Sequence, residues 1–280
     1  MKKTKNFLYK SLAVVALAGT MVSCEDINLC GITEDDLDMG DAFIETTSYF
    51  MNVVSRVDEA MRNEDLQNNG STTIDGATVT LANDSITVDF GTSNVICQDG
   101  KSRRGKISGS ITGDYFTQAG SINLNLTGYH VDDVPVVGNI AVTNTGQTAN
   151  NWVISLVSSN FTIGTEYNYN ANLSMEWESG FTTTDSIEDD VFELYGMADG
   201  NDLADTISFS TSFTENMRFE RTCQYVVTEG IVDVSLTSGT SEVANVTVDF
   251  KDEDGCNNVV FLNANCDGTE VSFPHTFDGF

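Results

Sequence analysis

Histidine, proline and basic residues are all scarce in this chain. The 280 residues include two histidines, two prolines and 13 lysines and arginines, set against 42 acids. Two histidines, His130 and His275, leave little for imidazole catalysis or a histidine-rich metal site. No G-x-S-x-G elbow, H-E-x-x-H pair or phosphate loop is present. A catalytic role and a cofactor are therefore not expected. The shortage of bases argues against nucleic-acid binding, because a field of this sign repels polyanions. No apolar run is long enough to cross a bilayer, which takes about 20 residues.

The residues that are abundant point to strands and turns. There are 23 glycines, with many Thr, Ser and Asn. The first residues stand apart. Lys2, Lys3, Lys5 and Lys10 precede the short apolar run Leu12–Gly19, and no acid occurs before Glu25. A basic segment followed by a short apolar one reads as a secretory signal peptide over residues 1–23. It ends in Met21-Val22-Ser23-Cys24, which resembles the lipobox of bacterial lipoproteins. In that family the cysteine carries a diacylglyceryl group and becomes the new N-terminus. The resemblance implies a membrane anchor at Cys24, and several acyl chains hold stably where one holds marginally. Glu25-Asp26 then resembles the acidic export signal of Bacteroidota surface lipoproteins. The implied location is the outer membrane, facing outward. From Cys24 onward nine basic residues face 42 acidic ones, a formal charge of −33.

Residues 24–40 read as an acidic tether. Residues 41–66 read as an amphipathic helix, because Phe43, Thr47, Phe50, Val54, Val57 and Met61 recur at steps of four and three. Asp41 is its expected cap, and Asn68-Asn69-Gly70-Ser71 its end. From Thr72 the period changes to 2. Ile86, Val88 and Phe90 alternate with polar residues, as do Ile122, Leu124 and Leu126, and the run Tyr167 to Trp177. Half-buried antiparallel strands produce this pattern. Asp-Gly turns at 75, 99, 199, 254 and 267 separate such runs. The expectation over 72–280 is an all-β antiparallel domain, a sandwich or two-sheet roll, preceded by the helix. Ser85–Phe90 and Asn245–Phe250 echo one another, which suggests two related halves meeting near 180–186.

The stretch VDFGTSNVICQDGKSRRGKISGSITG, residues 88–113, resembles a segment of uncharacterised Bacteroidota lipoproteins, with the pattern D-F-G, cysteine, D-G-K-x-R-x-G-K-I. TGYHVDDVPVVG at 127–138, WESG at 177–180 and CQYVVTEGIVDV at 223–234 extend the likeness. It implies an all-β secreted lipoprotein and no particular activity.

Four candidate sites follow. Lys101, Arg103, Arg104 and Lys106 are packed into six positions. They could bind an acidic glycan, with arginine supplying paired hydrogen bonds, or could neutralise acids on adjacent strands. The second reading is preferred. Asp132-Asp133, Glu188-Asp189-Asp190 and Asp252-Glu253-Asp254 could feed calcium, but solvated turns explain them better, and Phe250 occupies the first ligand position of an EF-type loop. No metal site is expected. Trp152, Trp177, Tyr167 and Tyr169 could stack on sugar, although their alternation with Leu173 and Met175 favours core. Among 42 acids a glycosidase pair is possible, but the sequence does not single one out.

With Cys24 acylated, Cys30, Cys97, Cys223, Cys256 and Cys266 remain, an odd number. A strand over 257–264 would hold Cys256 and Cys266 about 30 Å apart, beyond disulfide reach. Cys223 alternates with Phe219 and Val227 and reads as a buried thiol. The preferred bridge is Cys97 with Cys256. The functional expectation is a non-enzymatic surface lipoprotein that binds a glycan or protein, adheres or supports the envelope. The alternatives are a glycan-capture module and, behind it, a carboxylate-pair hydrolase.

Overall fold

Acids lead and apolar residues follow in the segment that forms the long helix. In the computed structural model α1 runs Glu34–Arg62. The structure describes residues 34–280 except 118, 147–151, 181, 184–185, 204–206, 224–226, 240, 251–255, 267–268 and 278–280. The expected anchor and export signal, with Cys24 and Cys30, lie outside the described residues. The helix starts seven residues before position 41, so Asp41 lies inside it rather than capping it. A short helix α2, Glu64–Asn69, follows; Asn63 caps it by accepting the Leu66 N–H at 2.9 Å, and Gly70 closes it.

Among the described residues sixteen strands come next. They are β1 Ser71–Ile74, β2 Ala77–Ala82, β3 Ser85–Asp89, β4 Val95–Ile96, β5 Ser102–Thr112, β6 Ser121–Val131, β7 Val134–Val137 and β8 Asn139–Asn144. Then come β9 Val153–Ile163, β10 Tyr167–Ser179, β11 Val191–Asp202, β12 Ile207–Glu220, β13 Val227–Ser238, β14 Ser241–Asp249, β15 Val259–Cys266 and β16 Thr269–Thr276. The expected antiparallel all-β domain with an N-terminal helix is what the structure shows. Its strands are joined in one sheet, with the order β1-β2-β3-β5-β6-β7-β9 and then β10 to β16. β4 pairs at the side with β5, and β8 with β6 and β9. β10 and β11, the strands on either side of residues 180–190, pair antiparallel with an irregularity in register between Trp177 and Ser179.

The sheet curves around α1. The helix touches β3, β9, β10, β12, β13 and β14. Between Met39 and Arg62 only Glu45 is exposed. Phe43, Phe50, Val54, Val57 and Met61 are buried as the stripe implies, but Ile44, Met51 and Val53 on other faces are buried too. The helix is the filling of the sheet, not a rib on its outside. Phe50 packs edge-on to Phe161 at 5.4 Å and against Tyr169 at 5.6 Å; Phe43 meets Phe209 at 6.2 Å. Such ring pairs add to the area they bury. Polar groups on the helix find partners inside: Thr46 donates to the Ala42 carbonyl at 2.7 Å, and Thr47 shares a 3.1 Å hydrogen bond with the Tyr169 hydroxyl.

Two expectations about the cysteines, the Cys97–Cys256 bridge and a free Cys223 thiol, are corrected. Cys256 is bridged to Cys223, with Cα atoms 5.5 Å apart, and Cys97 is a free buried thiol. Cys223 does not continue a strand face: β12 ends at Glu220, and the chain turns, with the Cys223 N–H bonded to the Glu220 carbonyl at 3.0 Å. The turn carries Cys223 toward the β14–β15 connection, while Cys97 sits between β4 and β5, far along the sheet order.

Candidate functional site

The basic cluster lies on the β4–β5 turn and on β5. Arg103 points inward and its side chain has no exposure. Its Nη1 donates to Asp99 Oδ1 at 2.8 Å, and its Nη2 also meets the Asp99 carboxylate. Its Nε donates to Asn52 Oδ1 on α1 at 3.2 Å, and the Tyr129 hydroxyl reaches the same oxygen at 3.4 Å. Burial opposes the charge on Arg103, but Asp99 outweighs it and the guanidinium holds its proton more tightly than usual. For Asp99 burial pushes up, Arg103 pulls down further, and the carboxyl ends below its ordinary range. Burial raises the Tyr129 hydroxyl to about 12.

The outer cations are engaged as well. Arg104 contacts the Asp133 carboxylate and donates to Asn94 Oδ1 at 2.7 Å. Lys106 pairs with Asp89 across β3 and β5 at 3.0 Å. That hydrogen bond, with one from the Gly91 N–H, lowers the Asp89 pKa. The Lys101 N–H donates to Asp99 Oδ1 at 3.1 Å. Gly105 of the motif sits at an irregularity in the β5–β6 register with φ +86°, where a Cβ would meet the Gly128 carbonyl at 2.0 Å. Only glycine fits there. Asp132 and Asp133 form the two-residue β6–β7 turn with φ +49° and +67°. Asp132 accepts the Ser102 N–H at 2.7 Å and its hydroxyl at 3.0 Å. This acidic pair is spent on the turn and on β5.

Asp75, Cys97 and Asp99 bring potential metal ligands within 4.8 Å of one another. Their oxygens already have partners: Arg56 reaches Asp75 Oδ2 at 3.1 Å, the Gln98 N–H reaches its Oδ1 at 2.7 Å, and Arg103 covers Asp99. A cation would have to displace two guanidinium groups. The Cys97 thiol is pushed up by burial, against the pull of Arg103.

The aromatic set is core. Trp152, Trp177 and Tyr169 are buried, and Tyr167 is partly buried against the core. Trp152 meets Trp177 at 5.4 Å and Tyr115 at 5.6 Å.

A second charged cluster lies at the C-terminal end of α1 and takes in Asp190, which the sequence placed in a solvated turn but which the structure buries. Asp58, Arg62 and Asp190 are 3%, 6% and 1% exposed, so these charges are inside the protein. Arg62 Nε contacts Asp58 Oδ2 at 3.1 Å and Nη1 donates to Asp190 Oδ2 at 2.6 Å. The Tyr115 hydroxyl donates to Asp58 Oδ1 at 3.0 Å, and the Trp177 indole N–H to Asp190 Oδ1 at 2.9 Å. The guanidinium also lies 4.2 Å over the Trp177 ring. Burial pushes the Asp190 carboxyl up to about 6, although Arg62 pulls it down. Burial opposes the Arg62 charge too, and the two carboxylates more than offset it. Beside this cluster is a cavity of about 20 Å³ lined by Met51, Ser55, Asp58, Phe192, Phe219 and Arg221, room for about one water. The signal in the sequence was the i,i+4 spacing of Asp58 and Arg62 amid Val54, Val57 and Met61. Asp190 gave none, because it ends an acidic triple that reads as a solvated turn. No family model, curated protein or solved structure matches this chain.

Proposed function

We propose that the protein is a non-enzymatic outer-membrane lipoprotein, anchored at Cys24 and facing outward, which acts through its outer surface in binding, adhesion or envelope structure. One observation carries the non-enzymatic part: α1 fills the space that a curved sheet of this size could otherwise offer a ligand. Hydrolysis by paired carboxylates draws little support from the buried Asp58 and Asp190, of which Asp190 has a raised pKa. Asp58 and Asp190 are both bound to Arg62, and the adjoining cavity admits water but no sugar. Glycan capture draws little support from sites whose indoles are core and whose arginines are paired.

The anchor rests on the N-terminal sequence, and the helix gives it a direction. From Cys24 to Glu34 the chain can reach at most about 35 Å. α1 begins at the end of the sheet near Phe209 and Leu262, and ends beside Asp190. The end bearing the Cys223–Cys256 bridge is then presented away from the membrane. Protease shaving of intact cells with mass spectrometry of the N-terminal peptide tests the reading. An acylated Cys24 on a shaved protein supports it. An acylated but protected protein turns it toward the periplasm, and an unmodified Cys24 overturns the anchor.

A further inference from the structure

The C-terminal end of α1 is tied to the sheet by charges that have no access to bulk water. Two carboxylates share one guanidinium there, so the enclosed group carries an excess negative charge. We infer that Asp58, Arg62 and Asp190 form a proton-responsive latch between α1 and the β10–β11 connection, with Asp190 as the group that takes up the proton.

The geometry singles out Asp190. It reaches the latch from the connection rather than from the helix, and Gly180 makes room for it. Gly180 has φ +94°, and a Cβ there would lie 2.3 Å from Asp190 Oδ1. The charged and titratable groups facing the latch come from four places. α1 contributes Asp58 and Arg62, with Arg56 and Glu59 one turn or less away. The β5–β6 connection contributes Tyr115, which is spent on Asp58. β10 contributes the Trp177 N–H. The chain after β12 contributes Arg221, whose N–H bonds to the Asp190 carbonyl at 3.2 Å and whose side chain lines the adjoining cavity. Asp189, next in sequence, faces away and accepts the Thr183 hydroxyl at 2.7 Å. The adjoining cavity, lined by Asp58 and Arg221, has room for about one water.

Protonation changes the tie without emptying the site. Ionised Asp190 accepts from Arg62 and Trp177 together. Protonated Asp190 loses its ionic bond to Arg62, which keeps Asp58 on its other side. The sign follows from burial. The folded-state pKa, pushed up to about 6, lies above the ordinary carboxyl value of 3.8. The folded protein therefore binds this proton more tightly than the unfolded chain, and Asp190 lowers stability as pH rises between those two values.

Tryptophan emission tests the inference, because the Trp177 indole donates to Asp190. The wild-type protein is expected to show a reversible emission change with a midpoint near 6, without unfolding. Asp190→Asn is expected to abolish it. Trp177→Phe removes a donor that favours the ionised form and is expected to raise the midpoint, read from the side-chain carboxyl ¹³C shift of Asp190. That shift also serves the wild-type protein where Asp190→Asn does not fold. A flat wild-type emission, a transition that survives Asp190→Asn, or a ¹³C midpoint near 4 overturns the latch.

Discussion

Arg103 and Arg104 are neighbours in sequence and opposites in environment. Arg103 has no exposed side chain, and three partners enclose it: Asp99, Asn52 and the Asn52-bound Tyr129. Arg104 and its partner Asp133 are open to water, at 25% and 72% side-chain exposure. Removing one member of a buried pair strands the other, at a cost of about 3–5 kcal/mol. Exposed pairs contribute little. Arg103→Ala is thus expected to lower the urea midpoint sharply, and Arg104→Ala to leave it near that of the wild type. Equal effects would show that the burial of Arg103 does not carry its weight. The motif D-G-K-x-R-x-G-K-I announced a cluster of cations and the chance of internal counter-charges. It did not separate the two arginines. That depends on which one faces α1, and Asn52 and Arg103 lie 51 positions apart in the chain.

At the scale of elements, periodicity was informative where an element continued and misleading where it stopped. The Phe43–Met61 stripe marked α1 correctly, yet a stripe implies one dry face and this helix is dry nearly all round. Thr46, Asn52 and Asp58 lie off that stripe and Thr47 on it. Inside they are buried because each has a hydrogen-bond or ionic partner. Cys223 shows the opposite failure. Its alternation with Phe219 and Val227 spans a turn, so the period carries no facing information there. The bridge it makes joins the β12–β13 and β14–β15 connections across 33 positions. Closing a loop of that length contributes about 3–4 kcal/mol. Cys223→Ser and Cys256→Ser are each expected to lose about that much in urea denaturation, and reduction of the wild type to match them. A variant as stable as the parent would remove the bridge from the account. Cys97, buried and pushed away from its thiolate, is expected to react with maleimide only after unfolding.

For the whole molecule, charge sets the response to acid. Asp89 and Asp99 have pKa values below the ordinary 3.8 when folded, so their stabilisation is present above it and is lost as pH falls below it. Asp190 works the other way between 3.8 and about 6. The excess of acids adds self-repulsion that eases as carboxylates protonate. The urea midpoint is accordingly expected to peak on the acid side of neutrality, above pH 3.8, and to fall on either side. A midpoint that rises steadily to pH 8 contradicts this balance. The sequence by itself determined the antiparallel strands and the helix before them, because alternation and the helical stripe are local consequences of which residues shun water. It also determined the sign of the field, since 42 acids outweigh 13 bases in any fold. Only the tertiary structure decided that one curved sheet encloses α1, that Cys256 meets Cys223, and that Asp58, Arg62 and Asp190 share an interior. Those outcomes depend on distances between residues far apart in the chain, 128 positions for Arg62 and Asp190, and no local pattern encodes such a distance.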